Sequence, residues 1–321
     1  QGHMALALQR FGDTKVPAAI VKSALERSVT DPELGRFWRE NEISFWWYRA
    51  EIETQAVMIE MLTEVAKDDV AVEDCKVWLL KQKQTQNWKT TKATADAVYA
   101  LLLRGANLLA SDKLVKVVLG GNEVKPEKVE AGTGYYQKIY AGSEVKPEMG
   151  DIEMVKEDQG VAWGAVHWQY LEDMSKITPH ETNLKLKKTL FVKTDTDAGP
   201  TIKPVEGVLK VGDLVVVRIE LRTDRDMEYI HMKDQRGAGM EPTNVISRYK
   251  YQDGLAYYEA TKDTATHFYI DYLPKGTYVF EYELRVQHAG IYQTGMAEIQ
   301  CMYAPEFNSH SESFVLQVSE K

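Results

Sequence analysis

Four carboxylates, Glu40, Glu42, Glu51 and Glu53, flank an aromatic run at Trp46, Trp47 and Tyr48. Glycoside cleavage uses such a pair: one carboxyl protonates the leaving oxygen, the other acts as base or nucleophile, and their separation sets the stereochemistry. The aromatic rings would offer a stacking face. The bland counterpart is that Phe45, Trp46 and Trp47 pack a helical core while the carboxylates stay solvated. Trp163, His167 and Trp168 form a second group. On a strand, the period of two puts 163 and 167 on one face and 168 on the other. They are a candidate interaction surface for a sugar or a peptide, or else core contacts. His167 has no partner at ligand spacing that would make it a metal ligand.

Other chemistries have no residues to carry them. The two cysteines, Cys75 and Cys301, lie far apart and match neither a metal spacing nor a disulfide framework. No nucleophile elbow and no phosphate-binding glycine loop occurs. The chain is therefore expected to have no catalytic site, cofactor or metal of its own. Its 39 basic and 48 acidic residues give a net charge of −9, and the lysines alternate with acids, as in Lys125-Pro126-Glu127-Lys128-Val129-Glu130. That pattern excludes nucleic acid as a partner, because phosphate binding needs clustered Lys and Arg. No apolar run approaches the ~20 residues that span a bilayer. The opening Gln1-Gly2-His3-Met4 looks like a scar of tag cleavage and is set outside the fold.

Residues 5–111 are predicted to be helical. Asp31-Pro32-Glu33 has the form of a helix start, with a capping Asp before a proline at the first helical position. Residues 52–66 place Met58, Met61, Leu62 and Val65 on one stripe; residues 70–82 and 90–109 continue the pattern, the last through Thr94, Val98, Leu101 and Leu102. Gly105 marks a break in that last stretch.

From Lys113 the period changes to two. Strands are predicted at 114–119, 135–140, 151–156 and 161–170. Further strands follow at 184–193, 205–210, 214–222, 227–232, 245–251, 267–272, 277–287, 291–302 and 313–318. Tyr278, Phe280, Tyr282, Leu284 and Val286 alternate cleanly. Short strands between turn signals argue for antiparallel sandwiches. The fold class is α+β and multidomain: helices, a thin β unit at 112–183, and a β-sandwich at 184–321.

Several segments then resemble one family. Glu53-Thr54-Gln55-Ala56, Trp78-Leu79-Leu80-Lys81-Gln82 and Trp88-Lys89-Thr90-Thr91-Lys92-Ala93-Thr94 are similar to the last hairpins of the α/α toroid that forms the thioester domain of alpha-2-macroglobulins. A Thr before a helix can cap its free N–H groups. Asp226 to Asp234, Leu273-Pro274-Lys275-Gly276-Thr277-Tyr278, Tyr282-Glu283-Leu284-Arg285-Val286, Ala289-Gly290 and Met302-Tyr303-Ala304-Pro305-Glu306 resemble, in that order, the C-terminal domain of the bacterial members. Gly276 is read as a turn residue free to take positive φ, and Tyr303 to Glu306 as a loop anchored by its aromatic ring.

The resemblance implies the end of a thioester-type toroid at 5–111, half of a CUB-like β domain at 112–183, and a terminal macroglobulin-type sandwich at 184–321. It implies a non-catalytic piece of a bacterial endopeptidase inhibitor in the cell envelope or periplasm, with a lipid anchor upstream. Its partners would be the upstream domains of the same parent chain and the proteases that the parent traps. The family's reactive Cys-x-Glu-Gln has no match: Cys75 is followed by Lys76-Val77-Trp78 and Cys301 by Met302-Tyr303-Ala304. No His lies between Met4 and Val166, so a histidine assisting thioester transfer has no candidate in the helical part. The rival functions are a polysaccharide-active toroid enzyme using Glu51 or Glu53, and a glycan- or peptide-binding module using Trp163 and Trp168.

Overall fold

The computed structural model describes residues 1–41, 47–103, 113–131, 134–158, 162, 164–252 and 254–320, the side chains of 41 and 47 excepted. Glu42, Phe45, Trp46, Gly105 and Trp163 lie outside the described residues. The chain divides into two compact units, Gln1–Leu79 with Lys89–Val166, and Leu80–Trp88 with His167–Lys321.

In the first unit, helices α1 (Gly2–Arg10), α2 (Lys15–Arg27), α3 (Glu51–Met61), α4 (Asp69–Thr85, to Leu79 within this unit) and α5 (Thr91–Leu102) build the core. Residues 2–4, set outside the fold from sequence, are the first turn of α1, and Gly2 is buried. The Asp31-Pro32-Glu33 segment is not a helix start. It turns a hairpin between β1 (Val29–Asp31) and β2 (Gly35–Phe37). Asp31 Oδ1 accepts from the N–H groups of Glu33 and Leu34, both at 2.8 Å. The same side-chain bond that caps a helix also closes an Asx turn. Gly35 decides for the turn: it takes φ +77°, and a Cβ there would lie 2.2 Å from the Asp74 carbonyl oxygen.

Helix α5 begins as its sequence predicts. Thr90 Oγ1 accepts from Ala93 N–H at 2.9 Å, satisfying one of the helix's free donors. Its buried stripe is not the predicted one. Ala93, Ala97 and Ala100 face inward, while Val98 and Leu102 are exposed. The alanines let α5 lie close against α3, where Ala56 and Ile59 are buried. Close backbone approach outweighs side-chain size here. Gln55 is buried on α3 and joins β2 to α4, its amide donating to Arg36 O at 2.7 Å and Cys75 O at 3.2 Å. A wide π-helical turn, Leu62–Ala66, extends α3.

The β part of this unit is thin. Strand β3 (Lys116–Leu119) pairs antiparallel with β4 (Asn122–Glu123) and β5 (Ile152–Val155). The strand predicted at 135–140 does not form: Tyr135 and Ile139 are exposed with no ladder beside them. The described residues of 161–170 are also irregular. Strand propensity records a fit to a half-buried pleated surface, and neither segment has one.

The second unit is a β-sandwich. One sheet runs, in order, β12 (Arg248–Gln252), β13 (Leu255–Thr261), β14 (Ala265–Leu273), β10 (Met227–Gln235), β17 (Ala297–Cys301) and β18 (Asn308–His310). The other runs β11 (Met240–Pro242), β15 (Gly276–Val286), β9 (Leu214–Thr223), β6 (Leu184–Thr196) and β7 (Gly199–Pro204). A small third sheet joins β16 (Gly290–Gln293), β19 (Val315–Ser319) and β8 (Leu209–Lys210). The alternation read along β15 holds: Phe280, Leu284 and Val286 are buried, and Tyr278 and Tyr282 pack against the same core. The single strand predicted at 291–302 is two strands. Gly295 breaks it with φ +72°, and a Cβ there would meet Gln235 at 2.5 Å.

One ion pair crosses the sandwich core. Lys188 of β6 and Asp234 of β10 have side chains 1% and 0% exposed, with Nζ and Oδ1 2.6 Å apart. Lys188 also donates to Gln235 O at 2.8 Å and Gly295 O at 3.2 Å, and Tyr282 O–H donates to Asp234 Oδ2 at 2.5 Å. Burial first, then the facing carboxylate, pushes the Tyr282 hydroxyl well above its ordinary pKa.

Candidate functional site

Of the carboxylates and rings singled out from sequence, Glu42, Phe45, Trp46 and Trp163 lie outside the described residues, and the others fall on short turns, at the start of α3 or on irregular backbone. Glu40 sits on a short 3-10 turn, exposed, 3.8 Å from Arg27. Glu51 and Glu53 open α3, and Glu53 accepts from Thr90 Oγ1 at 3.3 Å, a tie between helices. Trp47 and Tyr48 lie on another 3-10 turn, Tyr48 exposed. His167 and Trp168 are exposed on irregular backbone, so the period-two argument for a shared strand face does not apply to them. Cys75 and Cys301 are both buried free thiols. Burial pushes the Cys75 thiol up to about 12, and burial raises Cys301 as well. A thiol held protonated is a poor nucleophile.

A different arrangement draws attention, at the end of the sandwich near residues 226–229 and 301–307. Tyr229 of β10 takes φ +58°. A bulky side chain there is a genuine outlier, and such strain costs of order 1–3 kcal/mol. The register shows how it is held. Glu228 pairs with Tyr272 and Ile230 with Ile270, leaving Tyr229 as the irregular step between them, and its carbonyl accepts from Met302 N–H at 3.0 Å. The loop that follows is locked by Phe307 N–H donating to Ala304 O at 2.9 Å and Cys301 N–H donating to Phe307 O at 2.9 Å. Ala304 and Phe307 are the buried anchors. Tyr303, read from sequence as the anchor, is instead 79% exposed. It meets Tyr229 edge to face, centroids 5.2 Å apart at 84°.

The frame around this pair is polar and well tied. Asp226 Oδ1 accepts from Lys275 N–H at 2.7 Å, Oδ2 from the Tyr272 hydroxyl, and the Asp226 carbonyl accepts from Thr85 Oγ1 at 3.1 Å. Glu228 accepts from Asn87 N–H at 3.2 Å, and Glu306 from the Gln84 side chain. The segment Leu80–Trp88 is thereby bound to the same end of this unit. Gly276 serves this frame without positive φ. Its missing Cβ leaves room for the Tyr278 ring, whose nearest atom is 3.3 Å from where that Cβ would stand. Tyr278 O–H donates to Pro274 O at 2.9 Å. The site can present two rigid aromatic rings outward. No signal in the residue types could have revealed the sign of φ at Tyr229.

Fold and site together define an antiparallel sandwich domain that displays aromatic side chains from a rigid frame. Residues 184–306, most of this sandwich, match the family model described as the bacterial alpha-2-macroglobulin MG10 domain. Among solved structures, the chain is 17% identical to Salmonella alpha-2-macroglobulin reacted with methylamine, covering 98% of this chain and 19% of that one, with a TM-score of 0.36. It is 14% identical to native Escherichia coli alpha-2-macroglobulin spanning MG7 to the C-terminus, over 98% of this chain and 48% of that one, TM-score 0.37. It is also 14% identical to trypsin-activated E. coli alpha-2-macroglobulin, over 98% and 21%, TM-score 0.41. The chain thus spans from about a fifth to about a half of the length of these proteins. No curated protein matches.

Proposed function

We propose that this chain is the C-terminal part of a bacterial protease trap, a scaffold without chemistry of its own. The observation that carries this reading is the MG10-type sandwich at 184–306. The helices at 5–111 are assigned to the end of a thioester-type toroid and residues 112–183 to part of a CUB-like domain. The three-stranded sheet at β3–β5 suits a domain whose remaining strands lie elsewhere in the parent. The parent is assigned to the cell envelope or periplasm, and its partners are its own upstream domains and the proteases it encloses. His167 and Trp168, both exposed, are kept as a secondary contact surface.

Within this reading, Tyr229 and Tyr303 are the contact by which the terminal domain recognises another domain of the parent. Exposed tyrosines on a fixed backbone lose little entropy on binding and dominate interface energies. The test is to mix this chain with the upstream part of the parent, made separately, and measure affinity for wild type and for Tyr229→Ala with Tyr303→Ala. Losing a hot spot of about 2 kcal/mol weakens binding about 30-fold. Unchanged affinity in a folded double variant would remove the pair from the interface.

A further inference from the structure

The outer face of the six-stranded sheet carries a cluster that the trap reading does not use. Cross-strand registers align Tyr249, Tyr258, Tyr269, His231 and Gln300 in one row. The next row holds Ala260, His267, Lys233, Glu298 and His310. His231 and His267 are diagonal neighbours across β10 and β14. Their Nε2 and Nδ1 atoms stand 2.9 Å apart. A centroid separation of 5.2 Å with 9° between planes places the rings edge to edge, each nitrogen aimed at the other. The Tyr269 ring covers His231, with centroids 4.8 Å apart and 13° between planes.

We propose that His231 and His267 form a bidentate site for a divalent transition-metal ion, with copper(II) or nickel(II) as the fitting class. The observed 2.9 Å is the N–H···N hydrogen bond of the metal-free pair. Copper(II) fits best because it heads the affinity order for nitrogen ligands and accepts two imidazoles with water in the remaining positions. In the metal-free form one proton occupies the line between the nitrogens. On metal binding the donor ring changes tautomer, its proton passing through solvent from the line to that ring's other nitrogen, and side-chain torsions swing both freed lone pairs towards the ion. Burial lowers the pKa of both imidazoles, Lys233 and, for His267, Lys262 act in the same direction, and Glu298 opposes them. The nearest cation, Lys233, is held by Glu298 at 3.0 Å, which offsets its repulsion of a metal ion. Among the described residues no three His, Cys, Asp or Glu groups converge, so water completes the shell and the site is open to exchange.

Titration of the full chain with copper(II) chloride and nickel(II) chloride, followed by calorimetry and by nitrogen hyperfine splitting in electron paramagnetic resonance, tests this. A His3→Ala background removes the chelate that an α-amine and a nearby His can make. The expected result is one copper bound with micromolar affinity and two equivalent nitrogens in the spectrum. His231→Gln and His267→Gln each weaken binding at least tenfold, while His310→Gln leaves it unchanged. Should either variant misfold, proton NMR of the wild type decides: substoichiometric copper(II) must broaden the His231 and His267 ring signals before those of any other histidine. Binding that survives in both folded variants, broadening that starts at another histidine, or no uptake in the micromolar range overturns the proposal.

Discussion

Removing Lys188 should damage the sandwich as much as truncating one of the large apolar side chains of its core. Lys188→Met leaves the Asp234 carboxylate at 0% exposure with the Tyr282 hydroxyl as its remaining side-chain donor. Breaking one side of a buried pair costs about 3–5 kcal/mol, because an uncompensated charge stays behind. Asp234→Asn is milder. The ammonium keeps the carbonyls of Gln235, Thr294 and Gly295, and an amide oxygen can still accept, so about 1.5–3 kcal/mol is lost. The double variant Lys188→Met with Asp234→Leu removes both charges and should cost clearly less than the sum of its singles. Urea unfolding followed by circular dichroism reads these differences. With a slope of about 2 kcal/mol per molar, Lys188→Met moves the midpoint down by about 2 M. A shift under about 0.5 M, or strict additivity in the double variant, would refute the claim that this pair ties the two sheets together.

Three further outcomes follow from the same structure. Tyr229→Gly should raise stability by about 1 kcal/mol, because glycine takes φ +58° freely, whereas Tyr229→Ala keeps the strain and gains nothing; thermal unfolding of the two variants separates them. Thr90→Ala should destabilise α5 by about 1 kcal/mol through loss of the bond to Ala93 N–H, seen as faster amide exchange in its first turn. Cys75, with its thiol raised to about 12 by burial, should resist a thiol-specific reagent at pH 8 in the folded chain and react once denatured.

Legibility in the sequence followed the range of the interactions. Alternation along β15 was readable because burial of one sheet face repeats every second residue, and the Thr90 cap because its partner is three residues away. Asp31-Pro32-Glu33 was misleading because one short-range bond serves both a cap and a turn, and Gly35, packed on the distant Asp74, chose between them. The α5 stripe was missed by the preference for large side chains, when a close helix contact needed the small ones. Tyr229 and the facing of His231 on His267 depend on register between distant strands, which residue types do not encode. Trp163 and His167 were joined only by an assumed strand.

The proposal that this chain is the C-terminal part of a protease trap is tested most directly on the parent protein. The parent is incubated with trypsin, and digestion of casein is compared with hydrolysis of a small chromogenic peptide. An enclosing trap spares the peptide reaction while casein digestion falls, and Tyr229→Ala with Tyr303→Ala weakens that discrimination. Casein digested at the rate of free trypsin, or both substrates blocked equally, would contradict the account.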